Sequence, residues 1–242
     1  MEYYYTESEN IDEANSTLEI KGFEHRHLTK VLRKTAGDDI TITDGKRNIF
    51  ECTIVNITKD SLVCRIKGKQ ENLYESDIKV RLYVSPLKNH DRFEYMIEKA
   101  VEIGVYEIQP VTVNRTVPKG SFSDSKMERM KKIIIGAMGQ SQRCYLPKIN
   151  NVINLEKLIK ETNIFNTKYL YYEFADGNDA LKRKLVASDN ICILIGPEGG
   201  FEKEEINKLL DSGWQLRSLG KRKLRAETAA VVSVFENINY HK

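Results

Sequence analysis

Residues 193–210 read ILIGPEGGFEKEEINKLL, an apolar run that passes into an amphipathic pattern across Gly196-Pro197-Glu198-Gly199-Gly200. The run ILI reads as the end of a buried strand, and EKEEINKLLDSG (202–213) as the helix after it. An ordinary strand-to-helix turn needs one glycine or a capping Ser or Asp. Three glycines and a proline mark a backbone shaped for close approach by another group, and a ligand is the natural suspect.

The same pattern extends in both directions. KYLYYEFA (168–175) is a strand before the turn, WQLRSLG (214–220) a strand after it, and ETAAVVSVFENINY (227–240) the final helix. Upstream, KVRLYVSPL (79–87) is a strand and DRFEYMIEKAVEIG (91–104) a helix, with Phe93, Met96, Ile97, Ala100 and Val101 at helical spacing and Gly104 as its stop. EIQPVTV (107–113) is the next strand. In the helix DSKMERMKKIIIGAMGQS (124–141), Met127, Met130, Ile133, Ile134, Ala137 and Met138 share one face, which reads as core packing and not as a cofactor box. Strands alternating with helices mean a parallel sheet covered on both faces. Ligands of such sheets sit outside the carboxyl ends of the strands, where GPEGG falls.

The first 70 or so residues differ. DITITDGKRNIFECTIVNI (39–57) alternates around the hairpin signal Asp44-Gly45, and SLVCRIKG (61–68) adds another alternating strand. One short helix, EHRHLTKVLRK (24–34), precedes them. Together they suggest a small barrel of five or six strands, with the polar stretch GKQENLYESD (68–77) as the linker.

With 242 residues, 40% hydrophobic and 30% charged, the chain suits one large or two modest globular domains. No apolar run is long enough for a membrane span, and MEYYYTESENIDEA (1–14) lacks the features of a signal peptide, so a cytoplasmic location is expected. Cys52, Cys64, Cys144 and Cys192 are far apart, and the four histidines complete no ligand cluster. Reduced thiols and no metal are expected. The net charge of +3 says little, but basic residues cluster: five Lys or Arg against one Glu over 21–34, six against one over 126–148, and five against none over 217–225. Any one of these could be an ordinary solvated surface. The third repels itself unless an anion is near, and the three could converge on phosphate. Neither a Walker A pattern nor a G-x-G-x-x-G after a strand is present, and Glu198 would repel a phosphate at the turn.

Twenty-odd residues after LIGPEGGF comes LGKRKLRAETA (219–229), and this pair resembles the signature of the RsmE family, the 16S rRNA uridine-N3 methyltransferases of the SPOUT superfamily. HLTKVLRKTAGDDITITDG resembles the family's H-x-x-x-V-L-R segment, LKNHDRFEYMIEKAVEIGVYEIQPV its K-x-x-E-x-G-V helix, and GAMGQSQRCYLPKI its A-x-x-Q-S-x-R helix end. The five blocks keep the family's order over nearly the whole chain. The resemblance implies an α/β fold: a PUA-like, RNA-binding β-barrel over 1–72, then a SPOUT methyltransferase domain over 73–242 with a deep trefoil knot formed by about 168–242. It also implies a homodimer acting on 16S rRNA in the assembled small ribosomal subunit. S-adenosyl-L-methionine would lie in the knot on main-chain groups of three loops. Carried onto this chain, the cofactor-binding positions are Tyr172 and Glu173; Leu194, Gly196, Pro197, Gly199 and Gly200; and Leu219, Gly220, Leu224 and Thr228.

Uridine N3 is an imide nitrogen, barely nucleophilic while protonated. Methylation therefore needs the proton removed, or the charge growing on O2 and O4 stabilised. Arg225 is the first choice for that charge, with phosphate anchoring as the alternative. Glu198 and Glu227 are candidate bases or orienting groups, although Glu227 could simply favour the helix dipole and Thr228 could cap the helix. His27 with its neighbour His25, Arg33, Arg143 and Arg222 are expected to contact RNA. Tyr3, Tyr4 and Tyr5 read as a strand edge. Gly139 stands where the family commonly has Glu, and if that acid positions Arg143 its loss weakens the assignment of Arg143. Two competing readings stay open: a SPOUT enzyme acting on tRNA or a ribose oxygen, against which RAETA argues, and a catalytically silent RNA-binding or ribosome-assembly factor.

Overall fold

The computed structural model describes residues 2–117, 120–175 and 190–239. The chain divides into two compact units. One takes the chain up to Glu75 together with Ile135–Leu146, and the other takes Ser76–Ile134 and the rest from Pro147.

The first unit holds β1 (Tyr3–Tyr5), β2 (Ile11–Asp12), β3 (Thr17–Lys21), α1 (Gly22–Arg26), β4 (Asp39–Thr43), β5 (Asn48–Ile57) and β6 (Ser61–Glu71), with His27–Val31 continuing α1 as a π-helical turn. Its six strands run in the order β1-β4-β5-β6-β3-β2. The pairings are antiparallel except for β1 on β4. The Thr6 hydroxyl donates to the Glu19 carbonyl at 2.6 Å and ties the end of β1 to β3, which gives the sheet its barrel-like curl. The expected hairpin at Asp44-Gly45 is present. The Asp44 carboxylate accepts the Lys46 and Asn48 main-chain N–H groups, and Gly45 takes φ +66°. Alternate residues Leu18, Ile20, Ile40, Ile42, Cys52, Ile54, Leu62 and Cys64 fill the core with Phe50 and Leu28. Strand β6 runs to Glu71, so the start of the expected linker is strand. Burial pushes the Cys52 and Cys64 thiols up to about 12, and all four cysteines are buried and free, which makes them filler rather than reactive groups.

The second unit holds β7 (Lys79–Val84), α2 (His90–Ile103), β8 (Glu107–Thr112), most of α3 (Asp124–Gln140), β9 (Lys148–Ile149), β10 (Ile153–Asn154), α4 (Leu155–Thr162), β11 (Thr167–Tyr171), β12 (Asn190–Ile195), α5 (Lys203–Asp211), β13 (Gln215–Arg217) and α6 (Ala226–Asn239). Its sheet has the order β10-β8-β7-β12-β11-β13, with β9 also on β8, and every pairing is parallel, as the strand and helix alternation requires. Strand β12 lies between β7 and β11, with Leu194 beside Tyr83 on one side and Leu170 on the other. Helix α2 starts where Asn89 accepts the Arg92 N–H at 3.1 Å and stops at Gly104, whose φ of +115° favours glycine. Among the described residues no helix is long and apolar enough to cross a membrane.

Helix α3 crosses the division between the units, and its last turn explains Gly139. A Cβ at this position would lie 2.2 Å from the Tyr3 carbonyl oxygen, so β1 packs where a side chain would otherwise be. Glycine in mid-helix ordinarily costs about 1 kcal/mol against alanine. Here the sign reverses: Gly139→Ala is expected to destabilise the protein by about 1–3 kcal/mol through overpacking, read from chemical denaturation. A stabilised Gly139→Ala variant would contradict the packing of β1 on this helix.

Candidate active site

The parallel sheet leaves a cavity of about 510 Å³ at the carboxyl ends of β11 and β12. One wall is the turn from Gly196 to Gly200, a second is Tyr171–Glu173 at the end of β11, and a third is the loop Ser218–Leu224 after β13. Arg225, Ala226 and Ala229 at the start of α6 and Arg92 from α2 complete it. Of the expected cofactor positions, Tyr172, Glu173, Gly196, Pro197, Gly200, Leu219, Gly220 and Leu224 line this cavity. Leu194 is fully buried inside β12, Gly199 packs on Arg115, and Thr228 is exposed on α6. None of these three belongs to the lining.

The glycines of the turn have reasons inside the protein. A Cβ on Gly196 would sit 2.5 Å from the Phe201 ring, and Gly200 takes φ +70° while its N–H closes the turn onto the Pro197 carbonyl at 2.9 Å. The Gly199 carbonyl accepts from the Arg115 guanidinium at 3.1 Å. Helix α5 is fixed at its start by Glu205, whose carboxylate accepts the N–H groups of Glu202 at 2.9 Å and Asn114 at 2.8 Å.

Three charged residues from distant parts of the chain meet at the cavity. Arg92 donates from Nε to Glu227 Oε1 at 2.8 Å and from Nη2 to Oε2 at 2.5 Å, while its Nη1 reaches Glu198 Oε1 at 3.3 Å. Burial opposes the charged form of Glu227, yet the hydrogen bonds from Arg92 and from its own main chain, with the charges of Arg92 and Arg225, hold the carboxyl below its ordinary value. Arg92 went unassigned in the sequence, because nothing local marks it as a partner of acids more than a hundred positions away. Arg225 and Arg222 are exposed in the lining, and among the described residues neither guanidinium has an ion-pair partner. Lys223 reaches Glu173 at 3.2 Å. Of the five cations over 217–225, Arg217 is buried against the Tyr169 ring at 4.3 Å and does not join the patch.

The expected RNA contact at Arg143 is corrected. Arg143 is 4% exposed and forks onto Glu75, Nη2 to Oε2 at 2.8 Å and Nε to Oε1 at 3.3 Å, while Glu75 also accepts the Cys144 and Tyr145 N–H groups at 3.0 Å. A guanidinium so enclosed organises its own unit and presents nothing to a nucleic acid. Its acid comes from the stretch read as linker, which frees position 139 from supplying one. In the first unit Arg33 is exposed, and His27 stacks on Phe23 with ring centroids 6.3 Å apart. Tyr4 is buried in the core, as a strand residue would be. Among the described residues no three metal-capable side chains come together.

A PUA-type barrel and a parallel α/β domain with a cavity at its strand ends are the parts of an RNA methyltransferase. Residues 74–235 match the family described as RNA methyltransferase domain, and residues 23–67 the RNA methyltransferase PUA domain. The chain is 37% identical over 179 residues to ribosomal RNA small subunit methyltransferase E of Mesomycoplasma hyopneumoniae, covering 74% of this chain and 75% of that one. With the Bacillus subtilis protein of the same name it shares 28% over 246 residues, 97% and 94% of the two chains. The Neisseria gonorrhoeae protein of that name, solved bound to S-adenosyl methionine, superposes with a TM-score of 0.85 at 27% identity over 97% and 95%. The chain belongs to the ribosomal RNA small subunit methyltransferase E family.

The Arg143–Glu75 pair gives a direct test. Arg143→Ala leaves an unpaired buried carboxylate and is expected to destabilise the protein by about 3–5 kcal/mol in urea unfolding. A loss under about 1 kcal/mol, the size of a surface ion pair, would contradict the burial described.

Proposed function

We propose that this chain methylates N3 of one uridine in 16S rRNA with S-adenosyl-L-methionine as donor, acting in the cytoplasm on the assembled small subunit as a homodimer. The observation that carries the reading is the cavity at the strand ends, where an arginine without an ion-pair partner among the described residues stands beside a turn and loop built for main-chain contacts. The cavity falls within the roughly 300–1,000 Å³ of small-molecule sites. Its lining includes main chain freed by Gly200 and Gly220, both at positive φ, which brings N–H and C=O groups within reach of a ligand. Tyr172, Glu173, Gly196, Pro197, Gly200, Leu219, Gly220 and Leu224 would hold the donor; Leu194, Gly199 and Thr228 fall out of that set. Bound there, the donor supplies a methyl group on a sulfonium.

The chain's own residues supply the rest. Arg225 offers paired donors to the oxygens on which charge develops as N3 loses its proton. Glu198, the more exposed of the two acids bonded to Arg92, receives the proton from N3, and Glu227 orients the groups around the cavity. Arg222 draws phosphate to the cavity rim, and Arg33 and His27 do the same on the barrel. Val232 and Phe235, exposed one turn apart on α6, would be the apolar face on which two copies join. The domain assignment of 1–72 and 73–242 and the knot over about 168–242 belong to the same reading. Residues 176–189 and 240–242 of that span lie outside the described residues.

The reading is tested with purified protein, labelled donor and small subunits from cells lacking the modification. Wild-type protein is expected to methylate 16S rRNA at one uridine, and light scattering of the same preparation to give twice the 27.9 kDa of one chain. Arg225→Ala is expected to lower kcat by about 100-fold, the size of losing one charge-stabilising donor, while donor affinity stays within about threefold. Full activity in Arg225→Ala would remove Arg225 from the chemistry.

A further inference from the structure

Arg92 is the link that the reaction residues share. Its Cα is fixed at the start of α2 by the Asn89 cap, and from there one guanidinium reaches Glu198, on the turn after β12, and Glu227, in the first turn of α6. Both segments contribute to the cavity wall. Glu227 is 7% exposed and needs a counter-ion. Two cations lie near it: Arg92 from α2, which is bonded to it, and Arg225 just before α6, which is not. Glu198 bonds to the same Arg92.

We infer that Arg92 is a positioning residue of methyl transfer, which by satisfying Glu227 and Glu198 fixes the turn against α6 and leaves the Arg225 guanidinium free for the base. The inference rests on the methylation reading above. Its physical content is a competition between two arginines for one carboxylate. With Arg92 in place, both oxygens of Glu227 are occupied by a planar fork, a geometry that a lysine cannot reproduce. Without Arg92, Arg225 is the nearest cation to a carboxylate that burial penalises, and it closes onto Glu227. The same loss lets the Glu227 carboxyl titrate upward, because burial then acts against its charged form with one opposing cation fewer.

The test uses the full-length protein, with methylation of small subunits as one readout and the carboxyl titration of Glu227, by NMR of protein labelled at glutamate, as another. Arg92→Met is expected to lower kcat by about 30- to 100-fold with donor affinity within about threefold, since misplacement of a reacting geometry acts on turnover. Its Glu227 carboxyl is expected to move up past the ordinary 4.5. Arg92→Lys keeps the charge and is expected to hold the titration near the wild-type position while recovering only part of kcat. The discriminating variant is Arg92→Met with Glu227→Gln, which removes the trap for Arg225 and is expected to regain most of the activity of Glu227→Gln alone. Wild-type kcat in Arg92→Met, or a loss of donor affinity equal to the loss of kcat, would overturn the inference, as would no recovery in the double variant. If wild-type protein leaves small subunits unmethylated, the substrate reading falls. Arg92 is then judged by the titration: an upward move supports its hold on Glu227, and an unmoved curve overturns it.

Discussion

Strand β12 sets the geometry on which the cavity depends. It is hydrogen-bonded on both sides, to β7 and β11, and residues 191–195 are all buried, so its register is fixed by both neighbours at once. A strand held this firmly delivers its carboxyl end to one place. The turn from Gly196 to Gly200 begins there, and the chain then crosses β11 by way of α5 to add β13 on the far side. The loop after β13 and the start of α6 are thereby brought back beside the turn. One buried strand thus gathers three loops that are distant in sequence around one cavity.

Electrostatics then sorts what those loops carry. The cavity holds acids and arginines close together, an arrangement that would neutralise itself if every pair closed. Arg92 prevents this by occupying Glu227 and Glu198 from outside the loops. What remains without an ion pair among the described residues is cationic, Arg222 and Arg225, and that is the charge suited to an RNA backbone and to an imide losing its proton. The two acids are in turn held at the cavity wall by their bonds to Arg92.

Periodicity made much of the second unit legible. The alternation of strand and helix gave the parallel sheet, Gly104 gave the end of α2, and the turn GPEGG gave the position of the cavity. Signals depending on contacts far apart in sequence were not legible. Short pieces such as β2, β9, β10 and the eight-residue α4 offer too few residues for a period to show. Glu75 sat in a polar stretch that reads as a linker, and only its partner Arg143, 68 positions away, reveals it as buried. Arg217 counted as one of five surface cations until the Tyr169 ring was found against it. The Gly139 departure from the family pattern looked like a missing acid, and its cause is the main chain of β1, which no reading of α3 alone could supply.

The central claim is that this cavity methylates one uridine of the small-subunit RNA. Mass-spectrometric nucleoside analysis of 16S rRNA from cells with and without the gene tests it most directly. Loss of N3-methyluridine at a single site, restored by the wild-type gene and not by one encoding Arg225→Ala, is the expected result. An unchanged nucleoside profile in cells lacking the gene would contradict the claim.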